Sequence, residues 1–401
     1  MYRTPGDRPY DPRQEYRTAR RGLTGRGRPA GPPRPSGRSG PARGVREERP
    51  RVQEERPRRR PRWRMSFLTG LIAVAGLFAY PAVKYLDVLN DTGEPMSFSQ
   101  ALPDGAPGAV RAAAADPAVR MPSGPRAAFR TAATLDDGTK IGVTTLHGRK
   151  SGVTGKVWVW APKEYYEERY RNSAFPVLIA LPGSYGHPDN YWARPALQLQ
   201  RTVTDLVFQG RAKPFIIVMP MLNPDRHYYD GSDIPGQPRM GTWMSDDVPD
   251  LVRATFRTFA DRDGWAFMGS SSGGFVALKQ VLAHPDRFKA VIASGPDTRP
   301  DSPLWRGHRA EMRANDPGEL ARRLAARPGG PEVFLQFQIG TRERGRANLE
   351  RFIERYAKGP VHARLHVIED GGHNAKSYVR GMRDVSLEAI SRVLRGPTPA
   401  P

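Results

Sequence analysis

The stretch that decides the fold is Trp265-Ala-Phe-Met-Gly-Ser-Ser-Ser-Gly-Gly-Phe-Val-Ala-Leu-Lys279. An apolar run ends in small residues, and a helical pattern begins directly after them. This order is typical of a nucleophile elbow, a tight strand-to-helix turn with the pattern Gly269-x-Ser271-x-Gly273. Such a turn holds the serine hydroxyl above a helix N-terminus, whose amides favour developing negative charge. The stretch therefore predicts a nucleophilic serine, and the competing interpretation is a Gly/Ser loop without chemistry.

Strand and helix patterns alternate on both sides of this turn. Residues 141–146 and 156–160 are predicted to form a hairpin, and short apolar runs typical of doubly covered strands follow at 176–181, 214–219, 264–268, 288–294, 333–339 and 362–368. Helical patterns fall between them, at 195–208, 247–259, 273–283, 346–356 and 375–394. The alternation predicts an α/β fold with a mostly parallel sheet, helices on both faces, and a site beyond the carboxyl ends of the strands.

A serine hydroxyl needs a base to take its proton, and the base needs an acid to fix its tautomer. His373 is the predicted base, because it lies in a glycine-containing loop between the last strand and the last helix. Glu343 is the predicted acid, since it is the first carboxylate after the strand at 333–339. Asp370 and Asp297 are the rival acids. The chain order serine, acid, histidine is the one expected for this kind of sheet.

An oxyanion hole needs two backbone amides aimed at one point. We expect one from Ser272, which follows the nucleophile, and one from Ser184 in the glycine-containing loop after the strand at 176–181. Substrate contacts are predicted at Tyr185, His187 and His227, which fall in loops near the cleft. Ser270 and Ser272 are rival nucleophiles if the turn is misframed. No spacing of His, Asp and Glu suggests a metal and no loop suits a phosphate, so no cofactor is expected.

The N-terminal end of the chain differs from the rest in composition. Residues 1–64 hold twenty arginines, no lysine and seven acidic residues among many prolines and glycines, within a chain of net charge +22. Such a segment cannot bury enough apolar surface to offset chain entropy, so it is predicted to be a disordered cytoplasmic tail. Contact with anionic lipid explains its charge more simply than nucleic acid, because it lacks the aromatic interleaving that supports base stacking.

Residues 65–86 are predicted to form one transmembrane helix. The nineteen residues from 65 to 83 carry no charge, and at about 1.5 Å per residue they nearly match a bilayer core of roughly 30 Å. The arginine excess before the span predicts a cytoplasmic N-terminus and an extracytoplasmic remainder. An uncleaved signal anchor is preferred to a cleaved signal peptide, because no small-x-small site follows at once. Residues 87–128 are predicted to be an Ala/Pro/Gly-rich linker, and 129–395 the catalytic domain.

The motifs within about 140–395 resemble the esterase-D and antigen 85 family of α/β-hydrolases, which includes mycolyltransferases, S-formylglutathione hydrolases and feruloyl esterases. The likeness rests on Leu-Pro-Gly-Ser at 181–184, Gly-Ser-Ser-Ser-Gly-Gly at 269–274, Gly-Thr-Arg-Glu at 340–343 and Gly-His at 372–373. The resemblance implies an α/β-hydrolase fold, a triad of Ser271, Glu343 and His373, and oxyanion amides from Ser184 and Ser272. Pro182 departs from the family, which has His or Asp before this glycine.

The expected function is that of a membrane-anchored extracytoplasmic serine esterase, acting on a small-molecule, lipid or glycan ester through an acyl-enzyme on Ser271. The alternative is an acyltransferase that passes the acyl group to a sugar or lipid hydroxyl. No long substrate-tunnel signature is visible, so mycolyl transfer itself is not carried over from the family. A third possibility, from another class, is an inactive fold that binds a cell-surface partner.

Overall fold

The computed structural model describes residues 93–98 and 118–400. The predicted tail at 1–64 and the predicted membrane span at 65–86 lie outside these residues. Across the two described ranges, no helix combines the length and apolar character needed to cross a membrane. Twelve strands occur in the same ranges: β1 Pro95–Met96, β2 Val119–Arg120, β3 Phe129–Thr134, β4 Lys140–His147, β5 Thr154–Trp160, β6 Val177–Leu181, β7 Ile216–Pro220, β8 Thr258–Phe259, β9 Trp265–Ser270, β10 Ala290–Ser294, β11 Val333–Gly340 and β12 Val361–Ile368.

Ten of these strands form one mixed sheet in the order β1-β3-β4-β5-β7-β6-β9-β10-β11-β12. The pairs from β1 to β7 are antiparallel, and the pairs from β7 through β12 are parallel. The parallel half explains the continuous apolar runs of the sequence, since every residue of β6, β7, β9 and β10 is buried. The prediction of an α/β fold with a mostly parallel sheet is confirmed.

Helices cover both faces of the sheet. The α-helices of at least five residues among the described ones are α1 Leu199–Phe208, α2 Val248–Thr255, α3 Ser272–Ala283, α4 Arg309–Ala314, α5 Pro317–Ala325, α6 Arg346–Tyr356, α7 Ala375–Gly381 and α8 Leu387–Ser391. Side chains of α2, α3, α5 and α6 pack in one core, while those of α1, α7 and α8 pack in a second. Successive strand residues alternate between the cores, so Val157 and Val159 face one and Trp158 and Trp160 the other.

The sheet extends into the range 87–128 that the sequence predicts as a linker. β1 pairs with β3, and the side chain of Phe98 is only 3% exposed. Its ring lies 5.0 Å from that of Phe129 and 4.9 Å from that of Phe256, in edge-to-face contacts. β2 pairs with β8 in a separate two-stranded sheet. A single apolar anchor in an Ala/Pro/Gly-rich stretch has no periodicity, which is why the pattern does not predict this edge.

Three predicted helices differ in extent from those observed. The one at 195–208 is interrupted at Gln198, whose φ of 58° is left-handed, so a 3₁₀ turn precedes α1. The one at 247–259 is preceded by a helical turn at Met240–Thr242 and a π-helical segment at Trp243–Asp247, and it ends at Thr255, where the buried Phe256 is extended. The one at 375–394 contains a π-helical segment at Met382–Ser386 between α7 and α8. α4 and α5 are not predicted at all, although Asp316 caps α5 by accepting from two backbone amides.

Candidate active site

Ser271 occupies the strained turn between β9 and α3. Its φ of 53° and ψ of −126° are sparsely populated for a residue with a side chain. The glycines on either side are sterically required: a Cβ on Gly269 would lie 2.2 Å from the carbonyl oxygen of Gly273, and one on Gly273 would lie 2.1 Å from that of Pro182. The Ser271 amide donates to the carbonyl of Ser294 at the end of β10 (2.9 Å). The Gly-x-Ser-x-Gly spacing therefore follows from backbone packing.

Glu343 and His373 lie in contact in the loops after β11 and β12. The distance from His373 Nδ1 to Glu343 Oε2 is 2.7 Å. An ionised carboxylate can only accept hydrogen bonds, so Nδ1 carries the proton and Nε2 is left as the basic nitrogen. The Glu343 side chain is 1% exposed, whereas that of His373 is 52% exposed. A buried acid thus orients a histidine that is open to solvent and substrate.

Three donors converge on the Glu343 carboxylate. Besides His373, the amide of Gly340 donates to Oε1 (2.6 Å) and the hydroxyl of Tyr378 donates to Oε2 (2.7 Å). Burial alone would raise the pKa of Glu343, but the hydrogen bonds from His373, Tyr378 and Gly340 outweigh it and lower that pKa below its ordinary value. Glu343 therefore stays ionised at neutral pH, as an acid that stabilises an imidazolium must.

Gly295 connects this pair to the nucleophile turn. It follows Ser294, the residue whose carbonyl binds the Ser271 amide. A Cβ on Gly295 would lie 2.6 Å from Glu343 Oε2 and 3.1 Å from His373 Nδ1. The serine turn, the acid and the histidine therefore meet at the carboxyl ends of four neighbouring parallel strands, β9 to β12. This is the edge of the sheet where the sequence predicts the site.

The loop after β6 lies next to Ser271. A Cβ on Gly183 would come within 3.1 Å of Ser271 Cβ. Ser184 has a φ of 59°, and its carbonyl accepts from the Ser272 hydroxyl at 2.8 Å. Within residues 93–98 and 118–400, the backbone amides of Ser184 and Ser272 find no acceptor. Both amides predicted for the oxyanion hole are thus available to a ligand oxygen.

The three predicted substrate residues lie in different surroundings. Tyr185 lies in the loop after β6 and is 38% exposed, and its carbonyl accepts from Asn223. His187 is half-buried, and its Nδ1 is buried without a partner among the described residues. The ring of His227 pairs with Asp225 at 3.0 Å, and its side chain is 68% exposed. The structure shows no hydrogen bond from His227 to the other predicted site residues in the described part of the chain.

The rival assignments are explained by their contacts. Asp370 is 71% exposed and pairs with Arg342 at 2.8 Å, so it is a surface ion-pair partner. Ser270 is 2% exposed, and its hydroxyl is hydrogen-bonded to that of Tyr191. The structure therefore favours Glu343 over Asp370 beside His373, and Ser271 over Ser270 at the bend.

Tyr378 is a site residue that sequence reasoning misses. Its hydroxyl lies 2.7 Å from Glu343 Oε2 and 2.8 Å from His373 Nδ1, and the residue is 1% exposed. Burial, reinforced by the hydrogen bond to Glu343, raises the pKa of Tyr378 far above its ordinary value, so the hydroxyl stays protonated and donates. The only sequence signal is its position five residues after His373, in the first turn of α7.

The sequence also does not predict the contacts that hold the segment 228–232 against α3. Tyr228 donates to the carbonyl of Ser272 (3.3 Å). The ammonium of Lys279, on α3, donates to the carbonyls of Asp230 (2.8 Å) and Gly231 (2.6 Å) and to the Ser232 hydroxyl. Burial lowers the pKa of Lys279 from 10.5 to about 7. The segment next to the nucleophile is thus held by a buried amine.

The arrangement holds the kinds of group that acyl transfer at a serine requires. Ser271 can act as the nucleophile, His373 as the base and Glu343 as the orienting acid, while two amides face a developing oxyanion. No group of three or more His, Asp or Glu side chains suited to a metal ion occurs in the described residues.

Comparison with known proteins shows the family to which the chain belongs. The Esterase family model matches residues 152–384. Similar solved structures include a ferulic acid esterase (20% identical, 64% of this chain and 99% of that one, TM-score 0.51) and an S-formylglutathione hydrolase from Agrobacterium tumefaciens (18%, 64% and 96%, TM-score 0.50). A third is the fluorophosphonate-binding serine hydrolase F of Staphylococcus aureus (14%, 64% and 99%, TM-score 0.51). At these identities the likeness shows the fold.

Two curated relatives match over shorter segments. An uncharacterized protein of Corynebacterium glutamicum is 26% identical over 169 residues, which are 40% of this chain and 39% of that protein. An uncharacterized peptidase of Sinorhizobium fredii is 31% identical over 161 residues, 36% of this chain and 20% of that protein. The matched segments therefore span well under two thirds of either relative. The family match covers more than half of the chain, and we conclude that this protein belongs to the esterase family of α/β-hydrolases.

Proposed function

We propose that this protein is a serine esterase that hydrolyses carboxylic esters through an acyl-enzyme on Ser271. His373 Nε2 takes the Ser271 proton as the serine oxygen attacks the ester carbonyl carbon. The tetrahedral oxyanion accepts hydrogen bonds from the amides of Ser184 and Ser272. His373 then returns the proton to the departing alcohol. Water attacks the acyl-enzyme with His373 again as base, which releases the carboxylic acid and restores the serine.

The observation that carries the proposal is the contact of Glu343, His373 and Tyr378 beside the nucleophile turn. A buried ionised carboxylate with three donors has little freedom, so it holds the imidazole in a single tautomer. The distance of 2.7 Å between His373 Nδ1 and Glu343 Oε2 is that of a charge-assisted hydrogen bond. A histidine so oriented, half-exposed at the sheet edge beside a strained serine, is the arrangement that serine esterases require.

The esterase test uses the full-length chain in detergent, with p-nitrophenyl acetate as substrate. We expect turnover by the natural protein and a loss of at least about 10³-fold in kcat for Ser271→Ala. A fluorophosphonate probe should label the protein, and peptide mapping should place the label on Ser271. Absence of both turnover and labelling would reject the enzymatic proposal in favour of a binding module. With a sugar acceptor present, acyl transfer to the sugar in place of water would identify an acyltransferase.

We further propose that residues 65–86 anchor the protein in a membrane, with 1–64 in the cytoplasm and the catalytic domain outside. The support is the uncharged run from 65 to 83 preceded by twenty arginines. The basic tail would contact anionic lipid headgroups on the cytoplasmic side. Protease added to intact cells should then degrade the catalytic domain and spare the tail. Recovery of the whole protein in the soluble fraction would reject this topology.

A further inference from the structure

We infer that Tyr191 is a positioning residue for the oxyanion hole, and that its hydroxyl makes the amide of Ser184, rather than that of Gly183, the second donor. This inference rests on the proposed esterase function. It addresses the loop in which Pro182 departs from the family pattern. Two amides in that loop, those of Gly183 and Ser184, are the candidates for this second donor.

Tyr191 contacts the loop after β6 through its hydroxyl group. The Gly183 amide donates to the Tyr191 hydroxyl at 2.7 Å. The same hydroxyl is hydrogen-bonded to Ser270, the residue directly before the nucleophile. One phenolic oxygen therefore ties the loop after β6 to the end of β9. Because burial raises the pKa of Tyr191 above its ordinary value, the hydroxyl remains protonated in this double contact.

The contact with Tyr191 distinguishes the amide of Gly183 from that of Ser184. An amide has a single proton, so the Gly183 amide that donates to Tyr191 cannot also bind a substrate oxygen. The carbonyl of Ser184 is held by the Ser272 hydroxyl at 2.8 Å. The Ser184 amide lies between these two fixed points and has no acceptor among the described residues. The contacts leave it free for the oxyanion while preventing rotation of the loop.

Gly183 also lies close to Ser271. The Cα of Gly183 is so close to the nucleophile that an added Cβ would lie 3.1 Å from Ser271 Cβ and 3.2 Å from the Tyr191 hydroxyl. Replacing the hydroxyl by hydrogen would leave the Gly183 amide buried without an acceptor. That amide would then compete with Ser184 for the same oxyanion or turn the loop toward another acceptor. Either change would move the donor out of its aligned position.

The test is Tyr191→Phe in the full-length protein, with Tyr165→Phe as a matched control. Tyr165 is buried, whereas Tyr191 is half-buried, and the Tyr165 hydroxyl likewise accepts a backbone amide, that of Arg257 at 3.2 Å, away from the site. We expect Tyr191→Phe to lower kcat for p-nitrophenyl acetate roughly 10- to 100-fold with KM within about twofold. The control should keep kcat within about twofold, whatever its effect on melting temperature.

Two further measurements separate positioning from general damage. A trifluoromethyl ketone forms a tetrahedral adduct with the serine, so its inhibition constant should rise by the factor by which kcat/KM falls. Ser270→Ala keeps the bond from Gly183 to Tyr191 and removes only the tether, so we expect a smaller loss of kcat. The double variant should be no worse than Tyr191→Phe alone, because both substitutions act through one hydroxyl.

The inference and the proposed function fail in different ways. If the natural protein shows no Ser271-dependent turnover, the esterase proposal is rejected and the inference with it. If the natural protein turns over and Tyr191→Phe retains its kcat and its affinity for the ketone, only the inference is rejected. It is also rejected if Tyr191→Phe and Tyr165→Phe lower kcat equally. If Tyr191→Phe does not fold, Ser270→Ala provides the test. An unchanged kcat and an unchanged ketone affinity in Ser270→Ala would reject the inference that Tyr191 positions the oxyanion hole through its bond to Ser270.

Discussion

Replacing Glu343 by glutamine removes the charge of the carboxylate while leaving its shape almost unchanged. In the native site Oε1 accepts from the Gly340 amide, and Oε2 accepts from both His373 and Tyr378. If the glutamine oxygen takes the Gly340 amide, its NH₂ group faces two donors. If the group flips, the NH₂ faces the Gly340 amide instead. Neither orientation satisfies all partners, and the first favours the wrong tautomer of His373.

The magnitude follows from the number of charge-assisted contacts that are lost. A hydrogen bond to a charged group contributes ~1.5–3 kcal/mol, so the two at Oε2 together represent about 3–6 kcal/mol. If this energy is expressed in the transition state, kcat falls on the order of 10²- to 10⁴-fold, since each 1.36 kcal/mol is about tenfold. The upper end is comparable with the loss of about 10⁴ that follows neutralisation of the acid in a serine-protease triad.

The assay is kcat for p-nitrophenyl acetate, measured for Glu343→Gln beside Asp370→Asn. Asp370 is the rival acid. It lies in the loop after β12 that also contains His373, and it is 71% exposed in a surface ion pair. We expect Asp370→Asn to stay within about twofold of the natural protein, because exposed ion pairs contribute little. A Glu343→Gln variant that folds and keeps more than about a tenth of the native kcat would refute the role assigned to Glu343. So would an equal loss in Asp370→Asn.

Two further outcomes follow from the buried contacts. Tyr378→Phe removes one of the two donors on Glu343 Oε2. The lost hydrogen bond to a charged group contributes about 1.5–3 kcal/mol, so kcat should fall roughly 10- to 100-fold. A native kcat in steady-state kinetics would contradict this. The pKa of Lys279 falls from 10.5 to about 7 on folding, so the unfolded state binds more protons between these values. The free energy of unfolding should therefore rise with pH there, by up to about 1.4 kcal/mol per unit. Denaturant titrations of Lys279→Met should lack this contribution, and equal slopes in both proteins would exclude it.

The parallel half of the sheet could be predicted because burial on both faces marks each strand with an apolar run. The predicted strand at 176–181 corresponds to β6 at Val177–Leu181, and that at 333–339 to β11 at Val333–Gly340. The edge strands could not be predicted in the same way. β1 has two residues, and its attachment depends on Phe98 meeting two aromatic rings that come from distant positions in the chain. Contacts of that kind have no local signature.

In the candidate site, too, some residues could be predicted from the sequence and others could not. Ser271, Glu343 and His373 could be proposed because each follows a strand whose end is visible in the sequence. Tyr378 could not, because its position on a helix face says nothing about which carboxylate its hydroxyl meets. Tyr191 is a similar case, since its role depends on a hydrogen bond to Gly183 across a loop. Placing a side chain on an element is a local problem, whereas its partners depend on how the elements pack.

The position of β1 determines where any preceding chain joins the domain. β1 is the outermost strand at one end of the sheet order, and six strand steps separate it from β9, which leads into Ser271. At about 4.8 Å per step this is roughly 30 Å. A pull on the N-terminal end would load the two-residue β1–β3 pair in the first instance. Detaching that pair would break none of the strand pairings among β9 to β12, which lead to Ser271, Glu343 and His373.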